Sequence, residues 1–179
     1  MAATPTKLMT FAEFEKLPEP KDGRHELRNG EVAFVAPPKH RHHLIQRRLL
    51  SLLGDVAGGA GEVSFEFGYR PLPEYHYWIA DVVFVSRERW DNIPLDGYFS
   101  GVPDLVVEVL SPSNTTAEIQ NKKKLCLENG AREFWVVDSD HRQVEVSTPD
   151  GHALTYKSGQ EIPLFFAPSS RLAVDAIFA

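Results

Sequence analysis

Two acidic residues stand where apolar ones would pack better. Asp81 interrupts WIADVVFVS (78–86) and Glu108 interrupts LVVEVL (105–110), both otherwise near-continuous apolar runs. Such runs are the pattern of central strands covered on both faces. A carboxylate placed there is costly unless it is paired, faces a cleft or binds a cation. Either acid alone reads equally well as the partner of an arginine or the cap of a loop. Two of them on neighbouring strands point instead to carboxylates converging on one spot, the oxygen-rich setting that a hard divalent cation such as Mg²⁺ takes. Asp104 invites the same reading and fails it. It lies four residues before Glu108, roughly 13 Å along the same strand face, too far to share one ion. Its place after Pro103 at the strand start predicts a local backbone-capping role.

Two basic features lie nearby. In TTAEIQNKKKLCLENG (115–130), Ile119, Leu125 and Cys126 mark the helix face turned to a sheet. Lys122 is three residues from Ile119 and Leu125 and four from Cys126, so it flanks or enters that face, with Lys123 on the other flank and Lys124 pointing away. A lysine forced toward buried acids has a natural partner there, structural or catalytic; a lysine run is otherwise a solvated face. KHRHHLIQRRLL (39–50) concentrates Lys39, Arg41, Arg47 and Arg48 with three histidines. The net charge of −6 argues against a generic nucleic-acid binder, since neutralising phosphates takes clustered cations. This one patch could still grip a phosphate backbone locally, or be a solvated helix face. His40 and His43 lack further ligands for a tetrahedral metal, no G-x-S-x-G elbow occurs, and Cys126 reads as core.

The elements that must hold these residues follow from pattern. TFAEFEKLPE (10–19) predicts a short helix with a Thr10/Glu13 capping box, and HELRNGEVAFVAP (25–37) a hairpin turning at Asn29-Gly30. HLIQRRLLSLLGDV (43–56) predicts a helix with an apolar stripe through Ile45, Leu49, Leu52, Leu53 and Val56, ended by Gly58-Gly59. EVSFEFGYRPL (62–72) alternates as a half-buried strand. Residues 87–103 read as a loop, 115–130 as a helix with a Thr115/Glu118 capping box, and 132–151 as two strands and a Pro-Asp-Gly turn. LTYKSGQEIPLF (154–165) is expected to continue that pairing, and LAVDAIFA (172–179) to form a terminal helix. Strands separated by helices give an α/β domain around a mixed sheet, and no linker splits the 179 residues. One cysteine excludes an intrachain disulfide and fits a reducing compartment. No run of about 20 apolar residues and no apolar N-terminal segment occurs, so a cytoplasmic location is expected.

The succession HELRNGEV, RHHLIQRRL, ADVVFV, GVPDLVVEVLSPS and K-x3-C-x3-GAREFWVVD spans nearly the whole chain. It resembles the putative restriction endonuclease family abundant in cyanobacteria, a branch of the PD-(D/E)xK nuclease superfamily. The resemblance implies a restriction-endonuclease-like α/β core, a mixed central sheet flanked by helices, with added hairpin strands. It also implies hydrolysis of a nucleic-acid phosphodiester, DNA being the expected substrate, by a homodimer using Mg²⁺ or Mn²⁺. Asp81 then corresponds to the superfamily's strand aspartate and Glu108 to the acid of its (D/E)xK motif. The motif's lysine position is Leu110, and the family supplies the lysine from the next helix, which points to Lys122 with Lys123 as the neighbour to be distinguished. Glu26 matches the upstream acid and His42 the histidine preceding the amphipathic helix. Arg41, Arg47 and Arg48 join His42 as candidate phosphate contacts. Two positions depart from the family pattern: Ala80 replaces a proline and Cys126 an aromatic residue. Neither removes a charged group. A catalytically silent module that binds nucleic acid or a protein partner is the alternative the same residues allow.

Overall fold

The computed structural model describes residues 8–112 and 114–179. The expected N-terminal lead-in before Leu8, and Ser113 of the SPSN turn, lie outside the described residues. The capping box forms as the sequence predicts, with Thr10 and Glu13 bonded reciprocally, but the helix it opens, α1, spans only Phe11–Phe14. β1 (Arg24–Arg28) and β2 (Glu31–Val35) form the hairpin. Asn29 and Gly30 both take positive φ, 50° and 78°, as a primed two-residue turn requires. α2 (His40–Ala57) starts earlier than its apolar stripe, so the histidine cluster lies inside the helix. Then come β3 (Gly61–Arg70), β4 (Trp78–Ser86), α3 (Arg87–Asp91), β5 (Phe99–Ser100), β6 (Leu105–Val109) and α4 (Thr116–Glu128). The chain ends with β7 (Glu133–Asp138), β8 (Gln143–Ser147), β9 (Ala153–Lys157), β10 (Glu161–Pro163), β11 (Arg171–Ala173) and α5 (Val174–Ile177).

Seven strands make one mixed sheet in the order β5-β3-β4-β6-β7-β8-β9. β4 and β6 are central neighbours, paired antiparallel, and α4 carries the crossover from β6 to parallel β7. α2 covers one face through Ile45, Leu49 and Leu53 against Val82, Phe84, Val107 and Trp135. α4 covers the other through Cys126, against Val83, Val106 and Phe134. Burial on both faces explains the unbroken valine runs of the two central strands.

The sequence reading fails at three places. Residues 87–103 hold α3 and the edge strand β5, too short for periodicity to reveal. The segment after Lys157 leaves the main sheet: β10 pairs with β11 as a separate two-stranded ribbon, because Gly159 takes a positive φ of 80° and redirects the chain. The C-terminal segment accordingly begins as a strand, and its helix shrinks to one turn.

The β3–β4 ladder has an interruption that matters below. Phe65 pairs with Val82 and Phe67 with Ala80, but Glu66 and Asp81 between them do not pair, and Glu66 takes a left-handed φ of 47°. Alternate residues of a strand share one face. Yet Val82 and Phe84 pack under α2, whereas Trp78 and Ala80 pack on the α4 side. The strand changes phase at Asp81.

Asp104 is a clasp between strand ends. Its Oδ2 accepts from the Ser86 backbone N–H (2.9 Å) and pairs with Arg89 Nη1 (3.1 Å). Asp104→Ala is expected to cost about 1–3 kcal/mol, lowering Tm by about 2–4 °C for each of those. An unchanged thermal melt would contradict the clasp.

Candidate active site

The β4–β6 ladder runs Phe84↔Leu105, Val83↔Val106 and Val82↔Val107 and then stops. Carried one step further, that register would set Asp81 opposite Glu108. The strands part there instead, and Asp81 fills the gap: its Oδ2 accepts the Val109 backbone N–H at 2.7 Å. Its Oδ1 accepts from Gln46 Nε2 at 2.8 Å and lies 2.9 Å from His42 Nε2. His42 and Gln46 are four residues apart on α2, one above the other. Burial alone would lower the pKa of His42, but the hydrogen bond and charge of Asp81, followed by the charge of Glu108, carry it above its ordinary value.

Glu108 turns to α4. Lys122 Nζ is 2.7 Å from Glu108 Oε1 and also donates to the Ile79 carbonyl at 3.2 Å. Burial, reinforced by the negative charge of Asp81, raises the Glu108 pKa to about 7, Lys122 offsetting only part of the effect. Lys122 is pushed down by burial but raised overall by Glu108 and Glu26, so it stays charged while Glu108 sits near its midpoint at neutral pH. Glu26, also buried, accepts the Ile79 N–H on Oε1 (3.1 Å) and Arg28 Nε on Oε2 (3.0 Å). The backbone of Ile79 therefore meets both residues, its N–H bonded to Glu26 and its C=O to Lys122. Arg28 continues outward to Glu118 Oε1 at 2.8 Å, linking the hairpin to α4.

These groups line a cleft of about 1330 Å³, larger than the roughly 300–1,000 Å³ of small-molecule pockets. Six buried side-chain polar atoms among the described residues have no hydrogen-bond partner: Arg24 Nε, His42 Nδ1, Gln46 Oε1, His76 Nδ1, Trp78 Nε1 and Glu108 Oε1. The last has the Lys122 charge close by, without hydrogen-bond alignment. Five of the six residues line the cleft, and the sixth, Gln46, holds Asp81. Native interiors satisfy nearly all such atoms, so their concentration at one cleft marks a place built for a ligand.

Of the residues singled out in the sequence, the structure gathers Asp81, Glu108, Lys122, Glu26 and His42 around this cleft. Lys123 goes elsewhere, to Glu145 at 2.8 Å. Arg41 lines the cleft but is paired to Asp140 at 2.9 Å and to the Ser139 carbonyl. Arg48 lines a smaller cavity beside Arg142 that shares Arg41, Ser139 and Asp140 with the cleft, and Arg47 is exposed and lines neither. Gln46, Arg28 and Arg24 were missed. Gln46 is the legible one, a polar residue between Ile45 and Leu49 one turn after His42.

No group of three or more His, Cys, Asp or Glu side chains among the described residues forms a ready metal cluster. Asp81 accepts three of the roughly four hydrogen bonds its oxygens offer, and Glu108 Oε1 lacks an aligned donor. This set fits a cation of the Mg²⁺ kind, which takes one or two carboxylates and completes its shell with water and substrate phosphates.

Residues 11–174 match the family Uma2, described as putative restriction endonuclease. The chain belongs to the Uma2 family. No curated protein matches it. Among solved structures, a putative nuclease belonging to DUF820 from Anabaena variabilis is similar, with a TM-score of 0.82 and 22% identity over 95% of this chain and 97% of that one. At that identity the likeness establishes the shared nuclease fold. No helix among the described residues is long and apolar enough to cross a membrane.

In this Uma2 chain the raised Glu108 pKa has a stability consequence. An acid whose pKa is higher folded than unfolded contributes stability at low pH that is lost as pH rises to the folded value, here from 4.5 to about 7. His42, also raised, adds a loss in the same direction beginning near 6.5. Tm is expected to fall between pH 4.5 and 7.5, and to fall less in Glu108→Gln, as read by thermal melts of both proteins. Parallel Tm curves would show that Glu108 titrates normally.

Proposed function

We propose that this protein is a nuclease that hydrolyses phosphodiester bonds in nucleic acid, DNA first, with Mg²⁺ or Mn²⁺ held by Asp81 and Glu108. The observation that carries the reading is the buried pair of carboxylates at the parting of β4 and β6, with Lys122 beside Glu108 and the other unsatisfied buried polar groups of the described residues close around. A divalent cation bound there would neutralise developing phosphate charge and make water a better nucleophile at neutral pH. The chain's own residues do the positioning. Gln46, His42 and the Val109 N–H fix the Asp81 carboxylate, so its orientation needs no rearrangement during reaction. Lys122, held by Glu108 and the Ile79 carbonyl, is set to orient the attacking water or to steady a phosphate oxygen. Glu26 holds the Ile79 backbone to which Lys122 also bonds, and would add negative charge near a bound cation. Cutting both strands of a duplex takes two such sites, consistent with a homodimer.

One observation favours the silent-module reading: Asp81 already accepts three hydrogen bonds, so a cation would have only its remaining lone-pair site. Plasmid DNA, single-stranded DNA and RNA incubated with purified protein and Mg²⁺ or Mn²⁺ separate the two. Cleavage is expected, abolished in Asp81→Asn and Glu108→Gln and slowed about 10²–10³-fold in Lys122→Ala. Cleavage that survives Glu108→Gln would contradict the role given to Glu108, and no cleavage of any substrate with binding retained would favour the silent module.

A further inference from the structure

Three arginines line the cleft, Arg24, Arg28 and Arg41. Arg28 is hydrogen-bonded to Glu26 and Glu118, and Arg41 to Asp140. Arg24 is different. Its nearest carboxylate is Glu66, 3.6 Å from Nη1, beyond hydrogen-bond length, and its Nε–H is buried with no partner. Strand alternation turns Arg24, Glu26 and Arg28 of β1 the same way, so Arg24 shares the cleft with Glu26. Its charge also reaches His42, where it opposes protonation.

Glu66 belongs to the same feature. It is the left-handed residue across from Asp81, where the β3–β4 ladder is interrupted. Non-glycine residues hold that conformation at a cost, and such strain collects at ligand sites. The Glu66 side chain is 37% exposed and that of Arg24 22%, so the pair is loose and open to solvent. A guanidinium presents its Nε–H and one Nη–H as a fork matched to two oxygens of a phosphate. Nε–H, one prong of that fork, is unused here, and the Glu66 carboxylate sits near Nη1, on the other edge of the guanidinium, without closing on it.

From this geometry we propose that Arg24 anchors a backbone phosphate of the nucleic-acid substrate, and that Glu66, beside Nη1, competes for the same guanidinium until substrate draws it away. The inference rests on the cleft being a nucleic-acid site. It assigns Arg24 a binding role distinct from the carboxylates and the lysine: it selects for a polyanion and fixes where its backbone enters. Glu66 acts through Arg24, competing with the phosphate and so weakening binding.

The test uses the full chain carrying Glu108→Gln, which prevents cleavage, with short fluorescein-labelled DNA, duplex and single-stranded, read by anisotropy over a salt series. Adding Arg24→Gln is expected to weaken binding about tenfold and to shrink the salt slope by roughly one phosphate contact. Arg24→Lys keeps the charge without the fork and falls between. Glu66→Gln tightens binding by about threefold, a gain that misfolding does not produce, and loses that gain when combined with Arg24→Gln, because it works through Arg24. The inference is overturned if Arg24→Gln binds like its parent. It also falls if Glu66→Gln tightens binding equally without Arg24. A parent protein that binds neither DNA at any salt overturns both this inference and the reading of DNA as the substrate beneath it, whereas binding unaffected by Arg24 overturns this inference alone.

Discussion

Everything in this molecule is arranged around the burial of two carboxylates where two central strands part. Asp81 and Glu108 sit in valine runs covered on both faces, and neither could remain there unaided. Asp81 is satisfied by three donors, two from α2 and one from the backbone of β6. Glu108 has a lysine from α4 at 2.7 Å. The helices that close the two faces of the sheet thus each supply polar groups to one acid. Packing and site are one construction, since α2 and α4 cannot shift without breaking those contacts.

The satisfaction is unequal, and the inequality is informative. Asp81 is held in place, and Glu108 is left partly uncompensated, its pKa raised by burial and by Asp81 despite the lysine. A fold selected only for stability would replace such a pair with apolar residues at no loss. The cost is retained at the one cleft where the remaining unsatisfied polar atoms also gather. Structural strain lies at the same point, in the phase change of β4 and the left-handed Glu66 beside it. Membership of the Uma2 family accounts for the fold and the nuclease-like character; the distribution of unmet polar groups is what singles out this cleft for the proposed site.

Much of this was legible in the sequence because it follows from local rules. Glu108 and Asp81 announce themselves as charges in apolar strands; helix periodicity puts Lys122 and Lys123 on opposite flanks of the buried face, and only the family resemblance points to Lys122. The spacing from Asp104 to Glu108 rules out a shared ion, and the structure finds Asp104 clasping Ser86 and Arg89 instead. What was hidden depends on pairs distant in sequence. Arg28 meets Glu118 ninety residues away, and Arg24 meets Glu66 only because the ladder breaks opposite Asp81. The basic patch is spread by helical rotation: Arg41 lines both the cleft and the smaller cavity, Arg48 lines only the smaller cavity, and Arg47 is exposed. The ribbon of β10 and β11 escaped because a glycine with positive φ turns the chain out of a pairing its pattern would have continued.

The central claim is that Asp81 and Glu108 together form a divalent-cation site. Titration of Mn²⁺ into the metal-free protein, followed by calorimetry and by the electron paramagnetic resonance of free Mn²⁺, tests it without reference to any substrate. The account predicts saturable binding that disappears in Asp81→Asn and in Glu108→Gln and persists in Asp104→Asn. Absence of binding at millimolar Mn²⁺, or binding that survives both substitutions, would contradict it.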